Sequence, residues 1–198
     1  MKETRIMLAS GTLFDIADPA GSEFTLNDIA HGLGRVCRFA GHTNRFYSVA
    51  EHCVHVSRLV PLEHKRAALL HDAAEAFIGD VTRPLKAMLP DYRKIEKAIE
   101  DAISDRFLID ELGNASRTAI HHPLIKKIDV AMCYVEAREL MPSIPGYWSS
   151  MNADPEAVTA ARSIRLNFDK PEFATAAWLR AWQRYSHWEE EARLGEVS

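Results

Sequence analysis

The stretch "RAALLHDAAEAFIGD", residues 66–80, is apolar and rich in alanine, as a helix in a protein interior should be. His71, Asp72 and Glu75 interrupt it. A buried polar group costs about 1–3 kcal/mol when it has no partner, and a buried charge costs more. Because helical positions advance by about 100° per residue, these three side chains fall within roughly one quadrant. The stretch therefore predicts an interior helix whose polar groups share a partner.

A divalent metal ion explains this pattern, because it compensates carboxylate charge and accepts imidazole lone pairs. Two more residues extend the set. His52 lies on the inward face of the preceding helix, and Asp129 lies among the apolar residues of a later one. Two histidines and two aspartates from three helices would form an incomplete coordination sphere, with positions left for water and substrate. For His71 and Asp72 taken alone, a solvated pair at a helix edge is the alternative.

Helical periodicity recurs along the chain, whereas strict alternation of apolar and polar residues is nearly absent. The predicted helices are 25–34, 48–60, 62–79, 91–108 and 125–141, followed by two that begin at Pro155 and Pro171. Ser48 and Glu51 form a capping-box pattern, and Gly79 marks a helix end. The first two dozen residues lack this periodicity. We therefore predict an all-α fold, a single helical bundle with a short irregular or partly extended N-terminal segment.

The 198 residues fit one domain spanning 1–198, with no linker between independent units. The net charge of −4, without a long block of like charge, argues against binding to polymeric nucleic acid or to an anionic membrane. No signal peptide is recognisable, and no apolar run approaches the ~20 residues that span a bilayer. We therefore expect a cytoplasmic protein with reduced cysteines at 37, 53 and 133.

The order His52, then His71 and Asp72, then Asp129 resembles the pattern of the HD-domain metal-dependent phosphohydrolases. More closely, several stretches resemble the compact HD proteins related to 5′-deoxynucleotidases, a branch that includes phage-borne members and deoxynucleoside triphosphate hydrolases. The stretches are "FDIADP", "DIAHGLGRVCRFAGHT", "YSVAEH", "LLHDAAEAFIGDVTRPLK" and "IKKIDVAMCYVEARELM". The resemblance covers about residues 12–141, and the helices of 142–198 are predicted to be appended to the same HD domain.

The resemblance implies a set of metal ligands and two catalytic carboxylates. The implied ligands are His52, His71, Asp72 and Asp129. They would hold one divalent ion, and their mixed nitrogen and oxygen donors suit Mn²⁺, Co²⁺, Mg²⁺, Fe²⁺, Ni²⁺ or Zn²⁺. Glu75 matches the position that holds or deprotonates the attacking water, and Asp80 matches a position beside the scissile ester.

The resemblance also implies a substrate pocket. Arg38 and Phe39 match an arginine-aromatic pair of this branch, in which the aromatic residue is typically Trp. Arg83 and Lys86 follow Asp80 closely enough to line the same mouth and to meet phosphate charge. Arg45 and Lys126 are further candidates, with a solvated surface charge as the alternative for each of these cations.

The predicted activity is the hydrolysis of deoxynucleoside 5′-monophosphates to nucleoside and phosphate by a metal-activated water. The partner is thus a nucleotide substrate. One alternative is a deoxynucleoside triphosphate triphosphohydrolase. A second is a two-metal HD oxygenase in which His121 or His122 supplies extra ligands. A third is a non-catalytic helical binding module.

Several other residues carry less specific predictions. His55 is expected on the helix surface, and Tyr47 is expected either to stack on a base or sugar or to pack in the core. Trp178, Trp182 and Tyr185 recur at helical spacing and are predicted to anchor the core or a subunit interface. This aromatic helix makes a homodimer the expected assembly.

Overall fold

The computed structural model of the chain describes residues 3–109, 113–144 and 147–196. Near its N-terminus lies a small antiparallel hairpin of β1 (Arg5–Met7) and β2 (Leu13–Asp15). Phe14 of β2 is fully buried and stacks on Phe77 at a ring distance of 4.1 Å, so the hairpin closes one end of the core. These are the partly extended residues that the sequence predicted.

The rest of the described chain is mainly helical, which confirms the predicted all-α class. The α-helices are α1 (Leu26–Arg35), α2 (Val49–Arg58), α3 (Leu62–Leu70), α4 (Glu75–Ile78), α5 (Arg83–Met88), α6 (Pro90–Phe107), α7 (Pro123–Leu140), α8 (Pro155–Ala161) and α9 (Pro171–Glu196). Short 3-10 turns occur at Phe39–Gly41, Ala119–His121 and Trp148–Met151. The predicted limits of the domain, residues 1 and 198, lie outside the described residues.

The predicted continuous helix over 62–79 is wrong, because α3 ends at Leu70 and α4 begins only at Glu75. Between them the amide hydrogen bonds run three residues back, as from Ala73 to the Leu70 carbonyl, which is the tighter 3-10 pattern. The His71 ring bonds the Ala68 carbonyl at 2.8 Å and so competes with the regular helical ladder there. Two of the predicted metal ligands, His71 and Asp72, therefore lie in this break.

Helix α9 packs against α1, α2 and α3. Trp178, Trp182 and Tyr185 are buried within the chain, and the Trp178 Nε1 donates a hydrogen bond to the Leu69 carbonyl at 3.2 Å. These three aromatic residues therefore serve the core of this chain and give no support for the expected homodimer. At Gly34 an added Cβ would lie 2.3 Å from the Thr175 Oγ1, so only glycine allows α1 this close to α9.

The capping box predicted at α2 forms only in part. Ser48 accepts a hydrogen bond from the Glu51 amide, but the Glu51 carboxylate points elsewhere. It accepts three backbone hydrogen bonds from residues 167–169, at 2.6, 3.1 and 2.9 Å. This buried carboxylate fastens the segment that leads into α9 to the helix that carries His52.

Candidate metal centre

Four residues from three parts of the fold bring their donor atoms together, and we call them the His/Asp group. The members are His52 of α2, His71 and Asp72 of the break after α3, and Asp129 of α7. One donor atom of each lies within 4.8 Å of the others. The His52 Nε2 is 3.3 Å from the Asp129 Oδ1, and the His71 Nε2 is 3.2 Å from the Asp72 Oδ2. The group is largely enclosed, and its members span 78 positions of the chain from His52 to Asp129.

Both imidazoles are oriented by their Nδ1 atoms. The His71 Nδ1 lies 2.8 Å from the Ala68 carbonyl, and the His52 Nδ1 lies 2.7 Å from the Glu136 Oε1. Because a carbonyl and a carboxylate only accept, each Nδ1 carries a proton, and in the neutral ring each Nε2 then presents a lone pair to the group. In the part of the chain that the structure describes, neither buried Nε2 has a hydrogen-bond partner. A cation between them would satisfy both, so the donor set fits a divalent metal ion.

Glu136 of α7 contacts two of the predicted site residues, His52 and Arg38, and the sequence prediction missed it. Its side chain is fully buried; the Oε1 accepts hydrogen bonds from Tyr47 and His52, and the Oε2 lies 3.0 Å from the Arg38 Nε. Burial opposes its charge, but the neighbouring His52 and Arg38 lower the pKa of Glu136 to about 2. The available signal was its position, seven residues after Asp129 and therefore on the same helix face.

Arg38 links Glu136 to the His/Asp group. Its guanidinium is buried, and the Nη1 lies 3.5 Å from the Asp72 Oδ2. The next residue, Phe39, is half-buried and adopts a left-handed φ of 55°, which is uncommon for a bulky residue and typical of functional sites. Its ring meets Trp148 edge-to-face at 6.2 Å. The predicted arginine-aromatic pair thus borders the His/Asp group through Arg38.

Glu75 is buried at the start of α4, one turn after His71. Its Oε1 is 3.8 Å from the Lys86 Nζ, and its Oε2 has no hydrogen-bond partner among the described residues. Burial, followed by the charges of Asp72 and Asp80, raises the pKa of Glu75 well above its usual range. Gly79 ends α4 with a φ of +78° and turns the chain so that the half-buried Asp80 stays near Glu75.

The predicted phosphate-binding cations have different surroundings. Lys86 lies 2.5 Å from the Glu96 Oε1 as well as near Glu75, so it already bridges two carboxylates. Arg83 is exposed at the start of α5. Lys126 lies 2.7 Å from the Asp129 Oδ2. Arg45 instead packs over the Phe168 ring at 4.7 Å.

The structure places three further histidines, His55, His121 and His122, away from the His/Asp group. His55 is fully buried and not on the helix surface, because its Nδ1 pairs with the Tyr47 hydroxyl at 3.0 Å. That tyrosine is itself fully buried, so it packs in the core. His122 accepts a hydrogen bond from the Leu124 amide and caps α7. His121 lies 3.3 Å from the Glu100 carboxylate. Neither joins the His/Asp group of the described residues, so the geometry gives no support to a second metal.

A helical fold in which two histidines and two aspartates converge in this chain order defines the HD-domain class. Residues 46–138 match the family described as 5′-deoxynucleotidase YfbR-like. The chain is 37% identical over 133 residues to the uncharacterized protein YfdR of Escherichia coli strain K12, covering 67% of this chain and 70% of that protein. It is 36% identical over 117 residues to the uncharacterized protein RCAP_rcc00048 of Rhodobacter capsulatus, covering 54% of this chain and 60% of that protein. The chain belongs to the YfbR-like family of HD-domain phosphohydrolases.

This membership and the buried His/Asp group together support a hydrolase that uses a divalent metal ion. The family also supports a nucleotide as the substrate class. Among the helices of the described residues, none combines the length and the apolar character that crossing a bilayer requires.

Proposed function

We propose that this protein hydrolyses deoxynucleoside 5′-monophosphates to nucleoside and orthophosphate, with one divalent ion held by His52, His71, Asp72 and Asp129. The observation that carries the proposal is the pair of buried imidazole Nε2 atoms that face two carboxylates and have no hydrogen-bond partner in the described chain. The match to a 5′-deoxynucleotidase family supports the substrate class.

The mixed donors accommodate Mn²⁺, Co²⁺, Mg²⁺, Fe²⁺, Ni²⁺ or Zn²⁺. When bound, such an ion lowers the pKa of water and polarises a phosphoryl oxygen. The side chains supply the remaining steps. Glu75 takes the proton of the attacking water on its Oε2, which needs a partner in this buried position. The Lys86 Nζ lies 3.8 Å from the Glu75 Oε1, where it positions the carboxylate and stabilises its negative charge.

Attack forms a bond between the water oxygen and phosphorus, and the bond from phosphorus to the O5′ atom breaks. The proton that Glu75 took from the water passes to the departing O5′, which leaves as the nucleoside hydroxyl, and Asp80 positions that oxygen. The Arg38 guanidinium has five N–H donors, so it can hold Glu136 and Asp72 and still meet a phosphate oxygen. Phe39 would contact the sugar or base, and Arg83 would attract the phosphate at the mouth of the site.

The test is release of phosphate from a panel of deoxy- and ribonucleotides, with Mn²⁺, Co²⁺, Mg²⁺ or chelator added. We expect metal-dependent formation of nucleoside and orthophosphate from deoxynucleoside monophosphates. Release of tripolyphosphate from deoxynucleoside triphosphates would replace this proposal with the triphosphohydrolase alternative. Absence of hydrolysis with every metal would leave a binding module as the better explanation.

A further inference from the structure

A cleft of about 280 Å³ lies between the end of α2, the first turn of α3 and one stripe of α9. Four cationic side chains line it: Arg58, Lys65, Arg180 and Arg184. Tyr185 and Trp188 supply aromatic surface, and the remaining lining residues are apolar. The cleft shares no lining residue with the His/Asp group or with the predicted substrate residues.

Among the described residues, no carboxylate balances the positive charges of the cleft. Arg180 and Arg184 are four residues apart on α9, a spacing at which like charges repel and destabilise a helix. In the described part of the chain, none of the four cations forms an ion pair with a carboxylate, and no acidic residue lines the cleft. This concentration of unbalanced positive charge stands in a chain whose net charge is −4.

The floor of the cleft is held in place by polar contacts. The Lys65 Nζ donates hydrogen bonds to the carbonyls of Ser57 and Arg58, at 3.1 and 3.2 Å, and lies 5.4 Å from the centre of the Tyr185 ring. The Tyr185 hydroxyl lies 3.1 Å from the Ser57 Oγ. One cation is therefore fixed at the floor, whereas the three arginines are exposed, and the Arg184 guanidinium lies 5.8 Å from the centre of the Trp188 ring.

We propose that this cleft is a second nucleotide site, in which the cations bind the phosphates and the exposed indole of Trp188 stacks on the base. Arginine pairs with phosphate in a bidentate manner, and indole rings stack on any base. The small volume suits a mononucleotide, whereas a polymer would need an extended basic surface. No carboxylate lines the cleft to activate water, so we expect the bound nucleotide to remain unhydrolysed there. Helix α3 connects the two sites, because Lys65 lies in its first turn and His71 directly follows its end.

The experiment uses the full chain carrying Asp72→Ala, in the presence of EDTA, so that metal-dependent binding and turnover are removed. Calorimetry measures the binding of deoxynucleoside mono- and triphosphates, inorganic phosphate and a single-stranded oligonucleotide. We expect triphosphates to bind more tightly than monophosphates, and Arg184→Glu to weaken binding by at least about tenfold, as loss of a charge-assisted contact does. Arg165→Glu, an exposed reversal outside the cleft, is the matched control and should leave the affinity unchanged.

Two further variants make the result decisive. Arg180→Glu repeats the test at a second exposed position, in case Arg184→Glu alters the fold as judged by circular dichroism. Trp188→Ala should weaken the binding of nucleotides but not the binding of inorganic phosphate. If Arg184→Glu, Arg180→Glu and the Arg165→Glu control all bind nucleotides with the same affinity, the proposal is overturned. Equal binding of phosphate and nucleotide, which indicates an adventitious anion site, or preferred binding of the oligonucleotide would also overturn it. Because metal and turnover are absent, these outcomes are independent of the proposed hydrolysis.

Discussion

Glu51 and Glu136 are both buried carboxylates that tie other elements to α2, but their partners differ in kind. Glu51 accepts three hydrogen bonds from the backbone of residues 167–169. Glu136 is held by the side chains of Tyr47, His52 and Arg38. Backbone amides donate hydrogen bonds whichever side chains their residues carry, so the contacts of Glu51 stabilise the fold. The side chains that hold Glu136 are themselves reactive or charged groups, and one of them, His52, belongs to the His/Asp group. The contrast distinguishes a structural carboxylate from one that positions a reactive site.

The largest effect is expected for Asp72→Ala, which removes one of the four donors. We expect metal-dependent phosphate release to fall by more than about a hundredfold, since substitutions beyond the ligands alone cost roughly 10–100-fold. Phosphate release and circular dichroism measure activity and fold. Full metal-dependent activity in a folded variant would show that the assignment of the centre is wrong.

Glu136→Gln should have the next largest effect. The amide keeps the shape but loses the charge that orients His52 and neutralises Arg38, so metal affinity should fall by about 10–100-fold. The KM for nucleotide should also rise, because Arg38 loses its counter-ion. Calorimetry with Mn²⁺ and steady-state kinetics measure these two effects separately. The matched control is Glu139→Gln, an exposed glutamate of the same helix. If both variants bind Mn²⁺ as the parent does, Glu136 is only structural.

Metal addition should stabilise the fold through the same group. At a concentration of about 100 times Kd, Mn²⁺ should add roughly 2.7 kcal/mol to the free energy of unfolding. Urea titrations of the parent and of Asp72→Ala, with and without Mn²⁺, provide the comparison. Equal stabilisation of the two proteins would place the ion elsewhere.

Glu51→Gln should affect stability and leave the chemistry intact. It weakens three charge-assisted hydrogen bonds, so we expect a loss of about 2 kcal/mol in the free energy of unfolding, with kcat and Mn²⁺ affinity unchanged. Glu63→Gln, on an exposed side chain, serves as the control. If Glu51→Gln keeps its fold but binds Mn²⁺ with a different affinity, then Glu51, like Glu136, acts on the metal site.

Local patterns in the sequence predicted the helices well wherever one apolar face and a clear end signal were present. Pro155 and Pro171 begin α8 and α9 as expected. The same reasoning failed at residues 71–74, where a side chain competes for a helix carbonyl. It also failed at His55, because α2 is buried on every side and periodicity cannot assign such a helix a surface.

The sequence by itself determined the helical class and the residues with metal chemistry, because hydrophobic periodicity and the spacing of His52, His71, Asp72 and Asp129 are properties of the chain. Only the tertiary structure decided which imidazole nitrogen faces the group, since that depends on Glu136 and on the Ala68 carbonyl. The cationic cleft likewise exists only where α2, α3 and α9 pack together. Contacts between residues about a hundred positions apart depend on packing geometry, which no local pattern of residues encodes.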